Sequence, residues 1–132
     1  MLSNRSMPAD AVVPVLAYPN VPEAVDRLVA AFGFTLRWRA GEHRAQLGVG
    51  GGAVAITAGD VPTGTPDHVM VRVERLDAHR ERARAAGLEV GAVAEHRYGE
   101  RQYTATDHAG RRWVFSESVA DVDPRDWGAV PG

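Results

Sequence analysis

The amino-acid sequence predicts an α+β fold made of two similar halves, each running strand, helix, then three more strands. Three observations carry this expectation. The segment 12–36 reads as strand, turn, helix, glycine, strand, and the segment 68–90 repeats that order 54 positions later, with Val15 on Val69, Ala24 on Ala78, Ala31 on Ala85 and Gly33 on Gly87. Short apolar-alternating runs bounded by turn residues follow each helix. A Gly-, Pro- and Thr-rich stretch at 59–66 separates the halves.

In the first half, Asn20 can cap a helix in which Pro22 lies in the first turn and Glu23 completes a capping box, and Gly33 can end it. Val25, Leu28, Val29 and Phe32 form one apolar stripe. Strands are expected over 35–39, 45–49 and 54–57. The run Gly50–Gly52 leads into a strand and no helix follows it, so it reads as a hairpin turn and not as a phosphate loop. In the second half a helix is expected over 77–86, closed by Gly87, with Leu76, Ala83 and Ala86 inward. Strands are expected over 89–94, 102–106 and 113–116. Tyr98-Gly99 and Asp107-His108-Ala109-Gly110 supply the turns. The tail carries Asp123-Pro124, a good helix start, and a short helix anchored by Trp127 is expected there. The expected division is one domain over 1–132: a first module at about 12–58, a linker at 59–66, a second module at about 67–117 and a tail at 118–132.

Composition excludes several functions. There is no cysteine, which removes disulfides, thiolate nucleophiles and Cys-based metal sites. All fifteen basic residues are arginine, so no lysine can form a Schiff base. With the Ala, Gly and Val usage this suggests a bacterial source. Net charge is −2 with both signs interspersed, and the densest basic stretch, Arg80–Arg84, is interrupted by Glu81 and Ala83, which argues against a nucleic-acid partner. No run of eighteen apolar residues and no leader pattern is present, so a cytoplasmic protein with no membrane partner is expected.

The motif Tyr98-Gly99-Glu100-Arg101, followed by Asp107-His108-Ala109-Gly110 and Trp113-Val114-Phe115, resembles the closing hairpin of the vicinal oxygen chelate superfamily, which includes glyoxalases, bleomycin resistance proteins and extradiol dioxygenases. Phe32-Gly33-Phe34 is similar to the end of that family's first helix, and the resemblance is closest to a subgroup with the YGxR and Trp motif. His108 and Ala109 depart from the family's usual turn. The resemblance implies that two βαβββ modules curl their sheets into a cup with the helices on the convex side, that a homodimer forms, and that four strand positions offer metal ligands.

Aligned on the repeat and the hairpin, those four positions are Pro14, Ala55, His68 and Val114, of which only His68 has a ligand atom. Glu117 lies three residues beyond the usual place and by strand parity faces the other way. Catalytic zinc typically keeps three protein ligands, so no metal cofactor is expected. The other histidines, His43, His79, His96 and His108, read as surface residues.

With metal set aside, strand alternation nominates Leu16, Tyr18, His68, Met70, Arg72, Gln102, Thr104, Val114 and Ser116 for the cup lining, with Gln46 and Thr57 from the first half. Val69, Val71, Val73, Trp113 and Phe115 fall under the helices. Met70 fits either core or a ligand contact. Arg72 within a strand requires a carboxylate, an anion or water. Arg101 can pair with Glu100, Glu117 or Asp107. Three functions follow: a metal-free small-molecule binding protein; a metal-dependent lyase, isomerase or dioxygenase using a divalent metal held by residues such as His68 and Glu117; or a dimeric interaction subunit with an incidental cup.

Overall fold

A computed structural model describes residues 2–132. The first module runs β1 (Val15–Tyr18), α1 (Val21–Phe32), β2 (Thr35–Ala40), β3 (Arg44–Val49) and β4 (Gly52–Ala58), with its sheet ordered β1-β4-β3-β2. The second runs β5 (Val69–Arg72), α2 (Leu76–Ala85), β6 (Glu89–Val90), β7 (Ala94–His96), β8 (Glu100–Thr106) and β9 (Arg112–Ser118), ordered β5-β9-β8-β6 with β7 also paired to β8. In each module the first strand pairs in parallel with the last and the other pairings are antiparallel. This is the predicted α+β arrangement of two βαβββ modules.

α1 has the predicted ends: Asn20 Oδ1 accepts from the Glu23 backbone N–H, and Gly33 adopts φ 73° at the C-cap. Val25, Leu28 and Phe32 are buried on its inner stripe. α2 starts one residue earlier than expected, and its cap is distant in sequence. Arg75 makes no side-chain cap, and the Leu76 N–H instead donates to Glu117 Oε1 at 3.2 Å. The strand expected over 89–94 divides into β6 and β7. Between them the Gly91 N–H donates to the Thr104 carbonyl, so both pieces remain bound to β8. The tail forms a 3-10 helix, Pro124–Trp127, capped by Asp123, with the Trp127 ring 5.3 Å from Tyr98.

The core lies between the helices and one face of each sheet. Leu16, Tyr18, Ala45, Leu47 and Ile56 line it from the first module; Val71, Tyr103, Ala105, Trp113 and Phe115 line it from the second. Phe32 of α1 packs 5.7 Å from Trp113 and 4.8 Å from Phe115, which joins the modules through aromatic contact. Burying Trp113 and Phe115 completely removes apolar surface worth about 2 to 3 kcal/mol for each ring.

The repeat register changes along the chain. Leu16 and Val71 occupy equivalent inward positions, as their partners Ile56 and Phe115 show, and the helices start at Val21 and Leu76; these pairs are 55 residues apart. The closing glycines Gly33 and Gly87 are 54 apart, because the second module has one residue fewer between helix start and glycine. A register slip of one residue turns a strand side chain to the opposite face. The 54-residue alignment therefore misassigns β1: Leu16 and Tyr18 point into the core, not into the cup. The 55-residue register of the strands also replaces Pro14 by Val13 as the counterpart of His68, and Val13 has no ligand atom either.

Candidate functional site

On the second module, the sheet face turned away from the helices collects residues from three strands. Met70 pairs with Val114 and Val114 with Thr104; Arg72 pairs with Ser116 and Ser116 with Gln102. Alternation along β5, β8 and β9 puts all six on that face, while Val71, Tyr103, Trp113 and Phe115 fill the core. The polar members are linked. Gln102 Nε2 donates to Ser116 Oγ at 3.1 Å and lies 3.9 Å from Met70 Sδ, and the Ser116 hydroxyl donates to Glu100 Oε1 at 2.7 Å. Hydrogen bonds from Ser118 and Ser116, together with the Arg72 charge, hold the Glu100 carboxyl below its ordinary range. An ionised carboxylate and a guanidinium thus share an open face floored by Met70 and Val114.

Six of the eleven expected lining residues come together here: Met70, Arg72, Gln102, Thr104, Val114 and Ser116. Five do not. Leu16 faces the core, and Thr57 lies on the first module's sheet opposite Arg44. Tyr18 is wholly buried, with its hydroxyl donating to Asp107 Oδ2 at 2.5 Å and its ring stacked 5.8 Å from His108. Burial and the adjacent carboxylate push the phenol far up, so it stays protonated. Gln46 faces away from the helices as expected but is 2% exposed, because the chain around Ser6 lies over it. His68 is exposed ahead of β5, with Nδ1 2.9 Å from the Pro66 carbonyl oxygen, and borders a cavity of about 860 Å³ beneath the linker. Glu100 is the cup-face residue that the sequence reading missed, although it shares the parity of Gln102 and Thr104. A smaller groove of about 340 Å³ runs from Met70 and Arg72 to Ala53 and Val12, between the two sheets.

The residues do not fit the divalent metal that the fold implies. Ala55 and Val114 carry no donor atom on their cup-facing positions, and the Pro14 place is taken by Val13. Glu117 lies on the helix side, where its carboxylate accepts from the α2 N-terminus and stands 3.8 Å from Arg101. It therefore cannot join His68 around one ion. Among the described residues no three His, Asp or Glu side chains converge on a point that could hold a metal.

One expectation about polar residues is extended and one corrected. Arg101 pairs with Glu117 as expected, and also with Asp77 at 3.2 Å and Glu95 at 3.7 Å; the bond to Asp77 ties the hairpin to α2. His79 is no surface residue: its ring lies 4.1 Å from Phe115 and 5.9 Å from Phe32, with Nδ1 2.6 Å from the Tyr103 hydroxyl. It completes the inward stripe of α2 three residues after Leu76 and four before Ala83, whereas Ala86, expected inward, is exposed.

Comparison with known proteins agrees with this architecture. Residues 11–115 match the sequence profile of the glyoxalase/bleomycin resistance protein/dioxygenase superfamily. The structure is similar to that of TioX from Micromonospora sp. ML1, with 30% sequence identity, a TM-score of 0.72, and 86% of this chain and 100% of that chain covered. It is similar in fold to a glyoxalase/bleomycin resistance protein/dioxygenase from Nocardioides, at 18% identity and TM-score 0.68, covering 95% of this chain and 93% of the other. The fosfomycin resistance protein FosX from Listeria monocytogenes, crystallised as a point mutant with Mn(II) and 1S,2S-dihydroxypropylphosphonic acid, matches at 17% identity and TM-score 0.70, over 92% of this chain and 98% of that one. No curated protein sequence matches this chain. The profile match over most of its length, with the 30% identity to TioX, shows that the chain belongs to the glyoxalase/bleomycin resistance protein/dioxygenase superfamily.

Proposed function

We propose that the protein is a metal-independent small-molecule binding protein of the sequestering kind, and that it holds its ligand on the cup face of the second module against Met70, Arg72, Gln102, Thr104 and Ser116. The observation that carries this is the pairing of an open, hydrogen-bonded polar face with donor-free side chains at three of the family's four ligand positions. The surface mixes apolar floor with a few convergent polar atoms, as ligand sites do. Arg72 and Glu100 offer opposite charges, and the Gln102 carbonyl remains free to accept. The adjoining groove lets a ligand extend toward the first module.

The protein acts as a cytoplasmic homodimer in this proposal. Support for association comes from β1 and β5, the edge strands of their sheets, which leave Val15 57% and Met70 54% exposed. No helix among the described residues is long and apolar enough to cross a membrane.

A thermal-shift panel of small amphiphilic molecules, run in chelator, tests the proposal, since a ligand that binds only the folded state raises the melting temperature. The expected result is a hit whose shift is lost in Arg72→Ala and Gln102→Ala. Hits that need added divalent metal, or whose shift both variants retain as the parent does, would sink it.

A further inference from the structure

The cup face of the first module is covered by the protein's own N-terminal segment. The Ser6 carbonyl oxygen receives two donors from neighbouring strands: the Trp38 indole Nε1–H of β2 at 3.1 Å, and Gln46 Nε2 of β3 at a longer 3.4 Å. Trp38 and Gln46 are register partners, so the convergence is built into the β2–β3 ladder. Gln46 has its amide orientation set by Arg37, whose guanidinium donates to Oε1; flipping the amide would turn NH2 against the guanidinium. The side chain is almost fully buried, so its N–H requires an acceptor there or leaves a costly unpaired donor.

The group that supplies this acceptor is weakly held. Residues 4–7 form only a turn, with the Ser6 N–H donating to Asn4 Oδ1 and the Met7 N–H to the Asn4 carbonyl, and no helix or strand forms among described residues before Val15. Leu2 is 92% and Met7 51% exposed, so little apolar burial anchors the segment. Segments with few buried contacts open locally at low cost. A carboxylate would bind the two donors more strongly than an amide carbonyl, since charge-assisted hydrogen bonds are about twice as strong as neutral ones.

We propose that Trp38 and Gln46 form a recognition site for a carboxylate or carbonyl oxygen of a ligand, and that the turn at Ser6 is an internal occupant which the ligand displaces. The site uses none of the residues assigned to the ligand on the second module.

NMR of the full-length protein tests this with acetate as the probe and chloride as the ionic control. Trp38, Trp113 and Trp127 each carry one indole N–H, so three indole signals are expected. Acetate is expected to move the Trp38 indole resonance saturably, leave the other two in place, and shift the amides of residues 4–7 to unstructured positions in parallel. Asn4→Ala loosens the turn and is expected to lower the acetate midpoint about fivefold, the effect of one lost hydrogen bond of about 1 kcal/mol. Gln46→Leu and Gln46→Glu, which cannot donate, are expected to lose the saturable response. The proposal is overturned if chloride acts like acetate, if Trp38 responds while residues 4–7 stay docked, if Asn4→Ala leaves the midpoint unchanged, or if either Gln46 variant responds as the parent does.

Discussion

The Tyr18 hydroxyl of the first module donates to Asp107 Oδ2 of the second at 2.5 Å, across 89 residues of sequence. The same oxygen accepts from Trp113 Nε1 at 3.0 Å, while Oδ1 accepts from the backbone N–H groups of Ala109 and Arg111, both at 3.0 Å. One carboxylate thus shapes the β8–β9 turn and pins it to β1. Asp107→Ala would leave the Tyr18 hydroxyl and the Trp113 indole buried without acceptors, each a loss of about 1 to 3 kcal/mol. Tyr18→Phe removes one donor and keeps the other three, so about 1 kcal/mol is expected. Urea denaturation should therefore rank Asp107→Ala well below Tyr18→Phe, and equal losses would show that the Tyr18 bridge carries the whole effect and the Trp113 and turn bonds add nothing.

Arg82 of α2 closes the end of α1. Its Nε donates to the Ala30 carbonyl at 2.9 Å and an Nη to the Val29 carbonyl at 3.2 Å, where α1 has no basic residue in its own last turn. The cation also faces the negative end of the helix dipole. Arg82→Ala is expected to cost about 1 to 2 kcal/mol. Arg82→Lys should recover only part of it, because an ammonium cannot reproduce the fork that reaches both carbonyls. Melting curves of the two variants check this, and full recovery by lysine would mean that charge alone matters.

Gly99 of the Tyr98-Gly99-Glu100-Arg101 motif is buried at φ 84°, and a Cβ built there would stand 2.4 Å from the Ala120 carbonyl oxygen. The Gly99 carbonyl in turn accepts from the Val119 and Ala120 N–H groups, so the tail folds directly over this residue. Gly99→Ala is expected to destabilise by more than about 2 kcal/mol, through a strained backbone and the clash together. Gly51→Ala, with nothing within 4 Å of its added methyl, is the control expected to stay within about 0.5 kcal/mol of the parent. Circular dichroism during denaturation separates the two outcomes.

Much of this architecture is legible in the residues themselves because it rests on local rules. Asn20, Pro22, Glu23 and Gly33 mark α1, and alternation in β5, β8 and β9 sorts Met70, Gln102 and Ser116 from Val71, Tyr103 and Phe115. The face of β1 was not legible from the repeat, because an alignment tied to Gly33 and Gly87 hides the one residue missing from the second module. Tyr18 then falls on the wrong side. The cover over Gln46 was not legible either, since the segment around Ser6 has no periodicity and binds through a backbone carbonyl, which carries no side-chain signature. Glu100 was within reach of alternation, since it shares the parity of Gln102 and Thr104, but the start of β8 lies two residues earlier than the strand expected from the sequence.

His79 gives the pH dependence of stability. Desolvation within the core, aided by the Arg82 charge, depresses its pKa below the ordinary 6.5, against an opposing hydrogen bond to the Phe32 backbone. The unfolded chain therefore takes up a proton at this residue before the folded one does, as pH falls through about 6.5. Proton uptake by the unfolded state lowers stability, so the contribution of His79 is fully present above its unfolded pKa. It declines as pH drops from there toward the lower folded value, below which it levels off. Tyr103, itself pushed far up by burial, keeps its hydroxyl proton throughout and so remains the constant partner of Nδ1. His79→Phe keeps the ring stack with Phe32 and Phe115 but cannot titrate. Its unfolding free energy, measured from about pH 8 to pH 5, should fall less steeply than that of the parent below about pH 6.5. It should also be lower than the parent at the alkaline end, where the Tyr103 hydroxyl has lost its acceptor. Parallel pH profiles for the two proteins would place the titrating group elsewhere.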